Sequence, residues 1–350
     1  MKPVLRIVLS LILTGLFLVL FFNGFDLGAA WRSASAADPT LLALGVLVNL
    51  AAYVVRAWRW RYLLAPIKEG VGLYNLTSTT LIGFMISFLV PFRVGEVVRP
   101  VVLARREGLH AGAAFATVAL ERLLDTLTVM SLFLVFVLSP RGAAILSGGG
   151  ANGAVLFLKR GALAAAGFVL LGLPLVILLV AMPDRIIALL HRLNPGRPEG
   201  AIGRAIAALR NLVRGFGAIR RVRDLAPALL LSCAVWLLID LSVFCTVRAF
   251  DLPLRFTDTF LLLVPLGVGI AVPTPGGVGP YEYLGQISLV GFWGVGAARA
   301  AAAAVTLHAS TLVPTIAAGL FFMWRDGVRP SEVRKIAAMA PAGSGGRGAS

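Results

Sequence analysis

Nine apolar runs, at residues 4–22, 40–55, 76–92, 113–138, 161–182, 227–247, 257–273, 281–297 and 298–324, take up most of the chain. A helix spanning the hydrocarbon core of a bilayer needs about 20 apolar residues, within a working range of about 17–25. Five of the runs reach that length comfortably. The runs at 40–55, 76–92, 257–273 and 281–297 are short or broken by proline and glycine. Composition agrees with the pattern: 59% of the residues are hydrophobic and 14% charged, where soluble domains run at roughly 45–50% and about 25%. The chain reads as an all-α polytopic membrane protein.

Basic residues outnumber acidic ones by 32 to 16, a net charge of +16. No basic domain stands apart from the apolar runs, so the excess does not point to nucleic acid. It points instead to cytoplasmic loops, where Lys and Arg gather in membrane proteins. The segment 23–39 holds only Arg32, with Asp26 and Asp38, and is expected outside. Arg56, Trp58, Arg59, Trp60 and Arg61 follow the second run and read as interface anchors on the inner side. The segment 182–227 carries nine arginines and is expected inside, with a basic amphipathic helix over 196–224. The tail carries Arg325, Arg329, Arg334 and Lys335, and residues 326–350 are expected to be largely disordered and cytoplasmic.

Both ends inside demand an even number of crossings. The expected topology is therefore about eight transmembrane helices within 1–325, the first one uncleaved, plus one re-entrant segment at 76–92. Thr77, Ser78, Thr79, Thr80 and Ser87 make that run unusually polar. Backbone that leaves a helix at membrane depth survives only where protein or water covers it.

Three clusters place charge or broken backbone where lipid makes both expensive. The first runs from Pro91 through Arg93, Gly95, Glu96 and Arg99 to Pro100. Arg93, Glu96 and Arg99 fall at i, i+3 and i+6, so the carboxylate can pair with either arginine and one positive charge is left over. Guanidinium forks suit phosphate or carboxylate, as does the start of a helix. Arginines snorkelling from an ordinary interfacial loop are the plainer alternative. In the second cluster Glu121, Arg122 and Asp125 begin the 113–138 run; they could form a structural ion network, orient the arginines of the first cluster, or relay protons. The third holds Pro273, Pro275, Gly276, Gly277, Gly279, Pro280, Tyr281 and Glu282. It cannot continue a helix, and reads as a gate or cradle or as a tight turn outside the membrane. First and third clusters resemble each other, and paired broken segments mark the binding site in transporters built from repeats. Asp240, His308, Ser310 and Thr311 add polar groups to later runs.

The motifs Arg56–Ala57–Trp58–Arg59–Trp60–Arg61, Pro91–Phe92–Arg93–Val94–Gly95–Glu96–Val97–Val98–Arg99–Pro100, Glu121–Arg122–Leu123–Leu124–Asp125 and Pro273–Thr274–Pro275–Gly276–Gly277–Val278–Gly279–Pro280–Tyr281–Glu282 occur in this order. In these the chain resembles the lysylphosphatidylglycerol synthase transmembrane-region family, also called flippase-like membrane proteins, over roughly residues 4–325. The resemblance implies a bacterial inner-membrane protein that translocates a lipid or partners an enzyme of lipid modification. Its lipids would be anionic, polyprenyl-linked or hopanoid. Arg93, Glu96, Arg99, Glu121, Arg122 and Asp125 would bind the headgroup, and the proline–glycine breaks would act as gates. The soluble aminoacyltransferase domain of the full-length synthases has no counterpart after Trp324.

Transferase chemistry is the competing class. The sequence holds no Asp-x-Asp pair, no histidine followed five positions on by aspartate and no Gly-x-Ser-x-Gly. His110, His191 and His308 lie far apart, without metal-ligand spacing. The reading at this point is a non-enzyme that needs neither metal nor cofactor. A membrane subunit for a glycosyltransferase, or a lipid-linked transferase in its own right, stays as the alternative.

Overall fold

The computed structural model describes residues 3–23, 26–147, 153–182, 185–186, 188, 225–329 and 331–332. The expected basic amphipathic helix at 196–224 and nearly all of the tail lie outside these residues. Every regular element among the described residues is helical. In chain order they are α1 (Pro3–Phe22), α2 (Leu27–Ser35), α3 (Pro39–Leu64), α4 (Leu73–Leu89), α5 (Gly95–Glu107), α6 (Ala111–Leu138), α7 (Pro140–Ser147), α8 (Gly153–Ala181), α9 (Leu225–Ala249), α10 (Asp258–Ala271), α11 (Pro280–Trp293) and α12 (Ala297–Arg325). Short 3-10 turns at Pro91–Arg93 and Pro275–Gly277 separate α4 from α5 and α10 from α11.

Local sequence explains the boundaries. Asp38 caps α3 by accepting from the N–H groups of Thr40 and Leu41, with Pro39 at the first helical position. Gly108 ends α5 and Gly294 ends α11, both in the left-handed conformation that glycine adopts without cost.

Four helices among the described residues are long and apolar enough to cross a membrane: α3, α8 over Leu158–Leu179, α9 and α12. A fifth results if α1 and α2 count as one bent span. The eight crossings expected from the sequence are not confirmed among the described residues. Runs 257–273 and 281–297 become α10 and α11, of 14 residues each. At 1.5 Å per residue that is about 21 Å, short of a hydrocarbon core of about 30 Å. α6 has the length, at 28 residues, but carries Glu121, Arg122 and Asp125.

Two helical hairpins organise the centre. In the first, α4 and α5 run antiparallel: Asn75 bonds Glu107, Ser78 meets Arg106, and Gly83 lies against Gly95 and Arg99. In the second, α10 and α11 run antiparallel, with Gly269 against Pro280 and Tyr281. The two tips touch: a Cβ on Gly276 would lie 3.2 Å from the Phe88 carbonyl oxygen. Small residues allow these approaches, as they do between helices in membranes. Around the hairpins, α3 packs along α9, α4 along α12, and α6 along α10. Large apolar side chains face outward, among them Val19, Leu163, Leu170, Leu171 and Leu230, each about 70% exposed or more. That is the inverse of a water-soluble surface and fits a lipid-facing one.

Candidate functional site

The helix positions explain how five arginines and three carboxylates come together. Arg56 and Arg59 share a face of α3 at i, i+3, Glu121 and Asp125 share a face of α6 at i, i+4, and Arg99 comes from α5. Asp125 is the hub. Arg59 Nη1 donates to its Oδ1 at 2.6 Å, Arg56 Nη1 to its Oδ2 at 3.0 Å, and Arg122 Nη2 lies 2.9 Å from Oδ2. Trp236 Nε1, from α9, donates to Oδ1 at 3.0 Å. Glu121 lies 2.8 Å from Arg99 Nη1 and 3.4 Å from Arg59 Nη2. Glu96 lies 2.9 Å from Arg93 Nη2 and 3.7 Å from Arg122 Nη1. Arg59 also donates to Ser232 at 2.8 Å.

The depth of the network matters more than the number of its bonds. Arg59 and Glu121 are fully buried, and Arg56, Arg99 and Asp125 are 3–5% exposed. Aromatic faces cover the rest of the guanidinium surface: Arg99 stacks 3.8 Å above the Trp60 ring, and Arg56 lies 5.1 Å from the Phe84 ring. Five guanidiniums less three carboxylates leave a charge of +2. A narrow pocket between α4, α5 and α6 is lined by Gly83, Phe84, Ser87, Gly95, Glu96, Arg99, Val118 and Arg122. Around it Arg99 Nε and Nη2 and Arg122 Nε have no hydrogen-bond acceptor among the described residues. Buried donors of this kind ask for an acceptor.

The pocket opens beside the first tip, where Phe92 and Arg93 adopt φ of 66° and 53°. Non-glycine residues hold that conformation only when their surroundings impose it. Here the returning helix α5 must start at once, with Gly95 pressed on the Gly83 carbonyl.

Several sequence expectations need correction. Arg56, Arg59 and Trp60 were assigned to the membrane interface, yet all three are buried, because α3 continues to Leu64 and turns them toward α6. Trp58 and Arg61, on the opposite face, are exposed. Arg99 pairs with Glu121 across helices rather than with Glu96. Ser232 and Trp236 belong to the network, and nothing in their local sequence distinguishes them. The i, i+3 spacing of Arg56 and Arg59 was a readable sign of a shared partner.

The second tip gathers Pro273, Pro275, Gly276, Gly277, Gly279, Tyr281 and Glu282, and His308 of α12 lies against it. Ser310 and Thr311 bond to the Leu307 carbonyl of their own helix. Away from both tips, a polar clasp joins the ends of α4, α5 and α12. Asp326 accepts from Ser78 and from Tyr74 at 2.6 Å and lies 2.8 Å from Arg106. Glu107 accepts from Asn75 at 2.7 Å and Lys68 at 3.0 Å. The Asn75 bond foremost, with Lys68, holds the Glu107 carboxyl below its ordinary range.

Residues 7–319 match the family model described as lysylphosphatidylglycerol synthase TM region. A protein named glycosyltransferase AglD, from Haloferax volcanii, is 27% identical over 90% of this chain and 53% of its own length. UPF0104 membrane protein MJ1595, from Methanocaldococcus jannaschii, is 26% identical over 39% of this chain and 40% of its own. The chain thus spans about half the length of the first relative or less of the second. The expectation of a non-enzyme does not survive: similarity over nine-tenths of the chain to a protein named as a glycosyltransferase overturns it.

Proposed function

Because the chain belongs to the lysylphosphatidylglycerol synthase TM-region family and is a multi-pass membrane protein, we propose that it moves an amphipathic lipid with an anionic headgroup across the membrane. One observation carries this reading: a network of five arginines and three carboxylates with a net charge of +2, beside a pocket where arginine donors lack acceptors among the described residues. The pocket as it stands has room for about one water molecule; widened by a shift of α4 and α5, it would let a phosphate offer several oxygens and negative charge to these donors. The first turn of α5 adds its N–H groups on the same side.

The fold supports a route. α3, the α4/α5 hairpin and α6 are matched in order by α9, the α10/α11 hairpin and α12. Exchanging the two sets preserves the packing, since α4 on α12 becomes α10 on α6. With α6 counted as a span, six crossings put both chain ends on one side. The basic positions Arg106, Lys68 and Arg325 then lie inside, and Asp38, Asp251 and Arg299 lie outside. The hairpins approach from opposite sides and meet at their tips, as in inverted repeats around a central substrate site. In protein whose Cys233 and Cys245 are replaced by alanine, an impermeant thiol reagent should reach a cysteine at His110→Cys from inside only and one at Ala297→Cys from outside only. Labelling of both from one side refutes this topology.

The decisive measurement is lipid movement. Protein reconstituted into vesicles should carry a fluorescent anionic lipid between leaflets, and Arg93→Ala should slow it by about tenfold or more, the worth of a charged hydrogen bond. Because Arg93 is part exposed and pairs with Glu96 alone among the described residues, stability should change by no more than about 1 kcal/mol. Absence of lipid movement in the wild-type protein would sink the reading.

A second reading rests on the similarity to the glycosyltransferase. The same pocket would then hold a lipid phosphate for sugar transfer, with the chain as enzyme or as the membrane partner of one. Product formed from lipid and a sugar donor by the pure protein distinguishes it.

A further inference from the structure

His308 faces two oxygen acceptors. Its Nδ1 lies 2.6 Å from Glu282 Oε1, and its Nε2 lies 2.9 Å from the Gly276 backbone carbonyl oxygen. A neutral imidazole has one N–H and one lone pair, so it cannot donate to both. A carbonyl oxygen never donates. The geometry therefore requires one proton more than a neutral ring beside an ionised carboxylate would hold. Either the ring is an imidazolium, or the Glu282 carboxyl donates to Nδ1 while Nε2–H donates to Gly276. Both descriptions put the same proton between the same two groups.

The pair is enclosed and joins three elements. Glu282 Oε2 accepts from the Gly279 N–H at 2.7 Å, and the Tyr281 ring stacks on the imidazole with centroids 4.3 Å apart. His308 and Glu282 are 3% and 8% exposed. Through Gly276 and Gly279 the pair grips both sides of the second tip, and Gly276 abuts α4 at Phe88. The titratable and charged groups on the elements packed against α11 and α12 are Arg6 on α1, Arg32 on α2, Tyr53, Arg56, Arg59, Arg61 and Tyr62 on α3, Tyr74 on α4, Cys233, Asp240, Cys245 and Arg248 on α9, Asp258 at the far end of α10, Tyr281 and Tyr283 on α11, Arg299 and Arg325 at the ends of α12, and Arg93 on the opposing tip; Glu282 has His308 as its ion-pair partner among the described residues. A ring without the extra proton would set a lone pair against an oxygen, and one of the two contacts would open.

The repeat sharpens the point. Arg122 lies 11 residues into α6 (122 − 111) and His308 lies 11 residues into α12 (308 − 297). Each faces a glutamate in the first turn of the returning helix, Glu96 or Glu282. The first pairing uses a guanidinium, which keeps its charge; the second uses an imidazole, a side chain able to take up or release a proton.

We propose that Glu282 and His308 form a proton-binding site that latches the second hairpin, and that losing the proton frees its tip. The inference rests on the lipid-movement reading only for what the latch controls. In purified full-length protein, nitrogen-15 spectra of the histidines at about pH 7, with His308 assigned through His308→Ala, should show the extra proton that the two contacts require, on the ring or shared with Glu282. Backbone amides of residues 274–279 should exchange about tenfold faster in Glu282→Ala than in wild type at the same pH. In vesicles, lipid movement should change by about tenfold across the pH range where the ring signals change, and His308→Ala should abolish that dependence. A neutral ring beside an ionised Glu282 at about pH 7 overturns the proposal, and that test needs no variant to fold beyond assignment. Lipid movement indifferent to pH while the pair titrates also overturns it. If no form moves lipid, the translocation reading fails while the ring signals and amide exchange still decide the latch.

Discussion

Replacing Asp125 with alanine is expected to cost about 3–5 kcal/mol of stability, measured as thermal or denaturant unfolding of the purified protein. Asp125 accepts from Arg56, Arg59 and Trp236 and lies against Arg122. Its removal would leave the positive charge of that site at +3 and at least three donors without an acceptor, in a region almost closed to water. The penalty is that of uncompensated buried charge, and it greatly exceeds the worth of any one hydrogen bond. Glu96→Ala serves as the contrast. That side chain is about one-third exposed, so its loss should cost no more than about 1 kcal/mol. Equal unfolding of Asp125→Ala and wild type would mean that water reaches the network freely, and the site would then lose its claim on an anionic ligand.

The second large effect is steric. A Cβ at Gly95 would overlap the Gly83 carbonyl oxygen and press on Ser87. The opposing atoms are mostly backbone and cannot rotate away, so Gly95→Ala must splay α4 from α5. Overpacking typically costs about 1–3 kcal/mol, and here the splay would also draw Arg99 off Trp60 and Glu121. Lipid movement should fall to background even where the protein still folds. Gly167→Ala on α8, where nothing lies within 4 Å, should be neutral or slightly stabilising, by up to about 1 kcal/mol. Normal transport by Gly95→Ala would show that the hairpin opens more widely than its close packing implies.

Much of this architecture could be read from residue order. Lipid forbids unsatisfied backbone, so long apolar runs mean helices, and proline–glycine clusters inside them mean breaks at Pro91–Arg93 and Pro275–Gly277. Charge in the 113–138 run marked Glu121, Arg122 and Asp125 for the same reason. What could not be read was who pairs with whom. Arg59 and Asp125 are 66 positions apart, and a basic residue after an apolar run is as consistent with a cytoplasmic anchor as with a buried ligand. The eight crossings are not confirmed for a different reason: run 257–273 is near the lower limit of span length, and only tertiary packing reveals that it turns back. His308 is legible as a polar group inside an apolar run, but its partner is not, since Glu282 lies 26 positions away.

The touching tips also bear on how the chain is made. Pro275 follows Pro91 by 184 positions (275 − 91), so the first hairpin is synthesised long before the element that covers its end. With helices of 17 and 13 residues and charged groups at its turn, it is a poor unit for independent insertion. It must wait, sheltered by α3 and α6 or by the translocation machinery, until α10, α11 and α12 emerge. Chains cut short before residue 275 would expose the end of the first hairpin and should be degraded faster than the full chain.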